Sequence, residues 1–271
     1  MNAGIVQVVC IVFLIVLFGL VFKRYPLEMT IRNLVLASLF VLISVILNAI
    51  SIMIPFFGVP SVKITFALLP LMISGAVLSP SWAYLVGFVT DLVGLLITPT
   101  GFPFFGFTLN HVLVATLPAI WYQRSVKLKP KIIQRLINIS FVSLAVLASL
   151  YILSINQVSI EKKVIEITLL IKISLITFIF LFVIVMFIIL HYVRKRLSEE
   201  AAEELAKWMV VALSMELLIS LMLTPFWLDV MYGIPWFIST FIRVVKACVM
   251  IPINITVGYS LVKIVKRISF S

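Results

Sequence analysis

Charge and catalytic side chains are scarce in this sequence. Of 271 residues, 11% are Asp, Glu, Lys or Arg, two are histidine and two are cysteine. A soluble chain carries about a quarter charged residues, so a soluble globular domain is excluded. Cys10 and Cys248 both fall inside apolar runs; they lack metal-ligand spacing and say nothing about redox compartment. His111 and His191 leave Ser-His-Asp catalysis little to work with, and no P-loop, HExxH or GxSxG occurs. The chain therefore reads as no enzyme: any ATP-driven step has to come from a partner, and no cofactor or metal is implied. The first apolar run is expected to be a retained helix and not a secretory signal. Lys23 and Arg24 follow the first apolar run instead of preceding it, and Tyr25-Pro26-Leu27-Glu28 offers no small-residue cleavage site. There is no soluble domain and no clear internal repeat.

What the chain has in quantity is apolar surface, 63% hydrophobic residues and a mean hydropathy of +1.28. The apolar runs are continuous over roughly 20 residues, as transmembrane helices require, and do not alternate as barrel strands do. The expected fold is an all-α integral membrane protein with nine spans. They fall at about 3–22, 31–56, 63–79, 82–98, 107–122, 137–156, 164–193, 208–228 and 236–262. Ser198 to Lys207 is expected as a short surface helix, with Ser198 as N-cap and Glu199 and Glu200 in its first turn.

The net charge of +11 is read as orientation rather than as nucleic-acid binding. Fifteen of the 21 cationic residues fall on one side of the nine spans, including the run Arg124, Lys127, Lys129, Lys131 and Arg135. Lys63, Lys162 and Lys163 fall on the other side, and Lys172, Arg243 and Lys246 lie within spans. Lys and Arg are retained on the cytoplasmic side. The expectation is a multi-pass cell-membrane protein with a cytoplasmic C-terminus and an outside N-terminus.

Ionisable groups inside a membrane are costly and mark candidate sites. Asp91, Asn110, His111, Arg243 and Lys246 fall at similar depth, in the outer part of several spans. Arg243 and Lys246 are three apart and share a helix face. Above them lies a Pro/Gly loop carrying Phe102, Phe104, Phe105 and Phe107. The set reads as a cavity open to the outside, with two cations for an anionic group and phenylalanines for a planar ring. Structural readings stand beside it: Asp91 paired with Arg243 or Lys246, a Glu216–Lys246 ion pair, Lys172 facing a neighbouring helix, His111 as an interface residue, and the phenylalanines as an interfacial anchor.

Residues 29–123 and 205–267 resemble the substrate-binding S component of energy-coupling factor (ECF) vitamin transporters, of the folate type. The resemblance rests on Lys63-Ile64-Thr65-Phe66 with Leu69-Pro70, on Gly87 with Asp91-Leu92-Val93-Gly94, and on Pro99-Thr100-Gly101 leading into Phe105-Gly106-Phe107-Thr108-Leu109. It continues in Phe226-Trp227-Leu228 with Tyr232-Gly233, and in Arg243-Val244-Val245-Lys246 with Ile251-Pro252. It implies a six-helix bundle that captures a vitamin, folate or a related aromatic anion, from outside. The pocket would be closed by the loops at about 56–62 and 98–107. It further implies a transmembrane scaffold (T) subunit and two cytoplasmic ATPase subunits as partners, beside the vitamin and the bilayer. An S component for a different vitamin, or an independent secondary carrier, are the alternatives; a carrier would be expected to show inverted repeats. The implied division is 1–27 as an extra N-terminal helix, 28–125 as the first four core helices, 126–203 as a basic loop and inserted helix pair, and 204–271 as the last two core helices. The implied substrate-binding residues are Lys63, Asp91, Phe102, Phe104, Phe105, Phe107, Asn110, His111, Arg243 and Lys246. The family packs its scaffold against small residues on the first core helix; here Ala37-Ser38 is followed by Val41-Leu42.

Overall fold

The computed structural model describes residues 3–56, 59–97, 103–123, 130–154, 157–160, 163–166, 168–234 and 236–269. Phe102, Arg124, Lys127, Lys129 and Lys162, and the first half of the expected 98–107 loop, lie outside the described residues. The chain forms a bundle of helices: α1 (Ala3–Arg24), α2 (Ile31–Ala49), α3 (Leu68–Val77), α4 (Pro80–Ile97), α5 (Phe105–Gln123), α6 (Pro130–Ser154), α7 (Leu169–Lys195), α8 (Glu199–Met215), α9 (Thr224–Tyr232) and α10 (Trp236–Ser269). A π-helical stretch, Glu216–Leu223, joins α8 to α9. Among the described residues, six helical segments are long and apolar enough to cross a membrane, which agrees with the multi-pass reading.

Three expected boundaries move. The second span ends at Ala49 rather than near 56, because a β-hairpin of β1 (Ile52–Phe56) and β2 (Val59–Ile64) follows it. Helix α3 is consequently only ten residues, too short to span a bilayer alone. The acid-rich segment from Ser198 is no separate surface helix. Ser198 does accept from the Ala201 N–H, as an N-cap should, but helix continues unbroken from Glu199 to Tyr232. A second hairpin, β3 (Gln157–Ile160) with β4 (Lys163–Glu166), caps α6 and α7 and lies beside β1.

Helices α3 and α5 form the centre. Every residue from Leu69 to Gly75 is buried, and Val112, Val114, Ala115 and Ala119 of α5 are fully enclosed. Two glycines allow the crossings. A Cβ on Gly75 would lie 2.2 Å from the Ala115 carbonyl oxygen, and one on Gly87 would lie 2.6 Å from that of His111. Small residues let helix backbones touch in this way where lipid supplies no hydrophobic drive. Helix α1 packs on α4 and α5 through Val6, Cys10, Leu14 and Val21, and Tyr84 donates to the Leu14 carbonyl at 3.0 Å. Helix α6 packs on α8 and α10, with α7 outside it. Lys172 is buried and its ammonium donates to the Leu153 carbonyl of α6 at 2.9 Å, so it does face a neighbouring helix.

The π-helical stretch has a local cause. Pro225 has no N–H to give to the preceding turn. Two carbonyls of that turn are bonded from α10: Leu221 accepts from the Thr240 hydroxyl at 3.2 Å and Met222 from the Trp236 indole at 3.4 Å. Thr224 closes the wide turn by donating its hydroxyl to the Ile219 carbonyl at 2.7 Å. Such insertions occur mostly at functional sites, and here the turn forms part of a cavity wall.

Candidate functional site

A cavity of about 210 Å³ opens at the end of the bundle that carries the hairpins. The opposite end holds Lys23, Arg24, Arg32, Lys131, Arg135, Lys263 and Lys266. Asn48 of α2 and Lys63 of β2 line one side, with Thr65 and Leu68. Thr90, Asp91, Gly94 and Leu95 come from α4, and Phe107, Asn110 and His111 from the first turns of α5. Ile219 and Ser220 of the π-helical turn, Thr224, Leu228 and Tyr232 of α9, and Arg243 and Lys246 of α10 complete the wall. The structure thus brings together Lys63, Asp91, Phe107, Asn110, His111, Arg243 and Lys246 from the sequence-derived set.

Asp91 is buried and engaged on both oxygens. Its Oδ2 accepts from the Thr108 hydroxyl at 2.6 Å, and its Oδ1 lies 3.0 Å from His111 Nδ1. The alternative reading, Asp91 paired with Arg243 or Lys246, gives way to this one, because the α4–α5 crossing at Gly87 sets the two backbones in contact. His111 Nδ1 also lies 3.0 Å from the Phe107 carbonyl. Both neighbours are acceptors, so Nδ1 carries the hydrogen. The remaining nitrogen, Nε2, accepts in the neutral ring and donates in the charged one.

Arg243 is buried, with Nε 3.5 Å from Ser239 Oγ. Lys246 lies one turn along the same helix and is half-buried. The expected Glu216–Lys246 ion pair is not among the ion pairs of the described residues. Glu216 is buried behind the wall, and its Oε1 has no hydrogen-bond partner among the described residues. Lys63 sits outside the helical spans, and burial pushes its ammonium below the usual lysine range.

Asn110 is a strut between helices. It accepts from the Trp227 indole at 3.0 Å and donates to Thr224 at 3.1 Å. Phe104 and Phe105 are not among the cavity-lining residues. Phe104 is buried edge-on against Trp227 and Phe107, with ring centroids 5.7 Å and 5.9 Å away. Gly106 exists at this contact because a Cβ there would lie 2.3 Å from the Phe104 ring.

Sequence reasoning missed several wall residues. Thr90 and Ser220 are buried, and their hydroxyls have no hydrogen-bond partner among the described residues. Buried polar atoms are nearly always paired, so these two are open to a guest in the cavity. A signal existed: Glu216, Ser220 and Thr224 recur every fourth residue within an apolar span. Among the described residues no group of three or more His, Cys, Asp or Glu could hold a metal ion.

The arrangement is polarised. Arg243 and Lys246 form a cationic wall, the Asp91–His111 pair offers polar groups elsewhere on the wall, and Phe107, Leu95, Ile219 and Leu228 supply apolar surface. That suits a guest with an anionic group, an apolar body and further polar groups.

No protein-family model matches the chain, and neither does any curated protein. Among solved structures, the chain is similar to the crystal structure of FolT bound with folic acid, with a TM-score of 0.51 and 18% sequence identity. The likeness covers 87% of this chain and 97% of that one. At this identity the shared property is the fold.

Proposed function

We propose that this chain, which has the fold of FolT, is the substrate-capturing S subunit of an ECF-type importer. It binds folate or a related aromatic anion and delivers it across the membrane with partner subunits. The observation that carries the reading is the cavity itself: two cations on α10 facing a space that Asp91, His111 and Phe107 also line, in a fold whose relative holds folic acid. Arg243 and Lys246 would hold carboxylate, and Asp91 and His111 would bond polar ring atoms. Thr90 and Ser220 would complete the polar contacts, and Phe107 would pack on the ring.

The charge asymmetry supports an outward-facing mouth, since the opposite end collects the arginines and lysines expected in the cytoplasm. The division into core helices at 28–125 and 204–271, with additions at 1–27 and 126–203, belongs to the same reading. A T subunit and two ATPases would supply the scaffold and the energy. The scaffold contact would differ from a close small-residue crossing. Ala37 of α2 faces inward and is buried, whereas Leu34, Val35, Leu39, Leu42 and Ile46 are exposed.

Uptake of radiolabelled folic acid into proteoliposomes tests the role. Uptake should need co-reconstituted T and ATPase subunits and internal or external ATP at their nucleotide-binding side. Uptake by the chain alone, driven by a proton or sodium gradient, would make it an independent secondary carrier.

A further inference from the structure

Between Ala3 and Phe22, helix α1 carries one amide side chain in an otherwise apolar run, Gln7. Both ends of that amide are used, and both reach the same short stretch of chain. Gln7 Oε1 accepts from the Phe105 N–H at 3.1 Å, and Gln7 Nε2 donates to the Pro103 carbonyl at 3.3 Å. Pro103 O can only accept and the Phe105 N–H can only donate, so chemistry fixes which way the amide points.

Phe105 is the first residue of α5. The first N–H groups of a helix have no partner within it, and a preceding Ser, Thr, Asp or Asn ordinarily supplies one. Here Phe102-Pro103-Phe104 precedes the helix and offers no such side chain. A backbone N–H shut off from water and left without a partner is costly, and this one is part-buried. The acceptor comes instead from another helix, about a hundred residues earlier.

We infer that Gln7 is the N-cap of α5 supplied in trans, and that it is a positioning residue for the binding cavity. The first two turns of α5 carry Phe107, Asn110 and His111 into the cavity wall, and Thr108 onto Asp91. Fixing Pro103 and Phe105 fixes the start of that helix, and hence the register of those side chains. Helix α1 is itself held to α4 by the Tyr84–Leu14 bond, and its exit is tied by Trp82 donating to the Glu28 carbonyl at 2.9 Å. The additional N-terminal helix is therefore a brace for the binding site and more than a membrane anchor. The link to binding rests on the function proposed above; the cap itself does not.

The test uses the full chain and two readouts. Gln7→Met keeps the length of the side chain and removes both bonds. Without ligand, hydrogen exchange at the amides of residues 104–111 should become faster in Gln7→Met than in the wild type, with the rest of α5 unchanged. Folic acid should bind about three- to tenfold more weakly, as the loss of interhelical hydrogen bonds in a membrane predicts, chiefly through faster dissociation. In Gln7→Glu the protonated acid offers the same acceptor and donor, so exchange protection and affinity should recover as pH falls. Unchanged exchange in Gln7→Met would overturn the cap. Faster exchange with unchanged affinity would overturn the positioning role and leave a purely structural bond. If the wild type binds no folic acid, the proposed function has failed, and the exchange measurement alone decides on the cap.

Discussion

Arg243→Ala should weaken folic acid binding by at least about tenfold. Arg243 is buried in the cavity wall, and truncating one partner of a buried charge pair costs on the order of 2–5 kcal/mol, each 1.4 kcal/mol being about a factor of ten. The sign can be checked against a second substitution. Glu216 is buried without lining the cavity and interacts electrostatically with both cations, so it competes with an incoming anion for their field. Glu216→Gln should therefore tighten binding, by a few-fold, while Arg243→Ala loosens it. A folate analogue with its carboxylates converted to amides should be insensitive to both changes. If Arg243→Ala leaves the affinity of folic acid unchanged, Arg243 leaves the site.

Asp91→Ala is expected to damage both binding and folding. Its carboxylate accepts from Thr108 and from the His111 Nδ1 that also faces the Phe107 carbonyl. Removing it strips an acceptor from two groups on the first turns of α5, and breaking a buried pair by truncation costs about 3–5 kcal/mol. The melting temperature in detergent should fall by several degrees and folic acid binding should drop out of reach. Asp91→Asn separates the two effects. An amide can accept from His111 or from Thr108 but offers no charge, so the fold should largely recover while binding stays weakened. Full recovery of binding in Asp91→Asn would reduce Asp91 to a structural role.

The all-helical, multi-pass character of the chain, and the meeting of Asp91, Asn110, His111, Arg243 and Lys246 in one cavity, were legible in the sequence, for a physical reason. Buried charge is so costly in a bilayer that Asp91, Arg243 and Lys246 stand out from their surroundings, and helical rise converts their positions into depth. Their pairing was not legible. Which acid meets which base depends on the α4–α5 crossing, and that is set by the contact of Gly87 with the His111 backbone. The end of α2 is not marked in the sequence because Ile52, Met53 and Ile54 are as apolar as helix residues, and hydropathy does not distinguish a short apolar strand from a helix. The separate surface helix at Ser198 was misread because its four glutamates look solvated, yet no Gly or Pro interrupts the chain before Pro225. Phe104 was read as a ring shield from composition alone; its neighbour Trp227 comes from a segment more than a hundred residues away. The cap on α5 lay equally far off, at Gln7.

The most direct measurement is calorimetric titration of folic acid into the purified wild-type chain in lipid nanodiscs, repeated with Arg243→Ala and Asp91→Asn. A cavity that holds an aromatic anion through α10 and the Asp91–His111 cluster predicts one saturable site per chain, weakened in both variants. No saturable heat with the wild type, or a site of unchanged affinity in both variants, would contradict it.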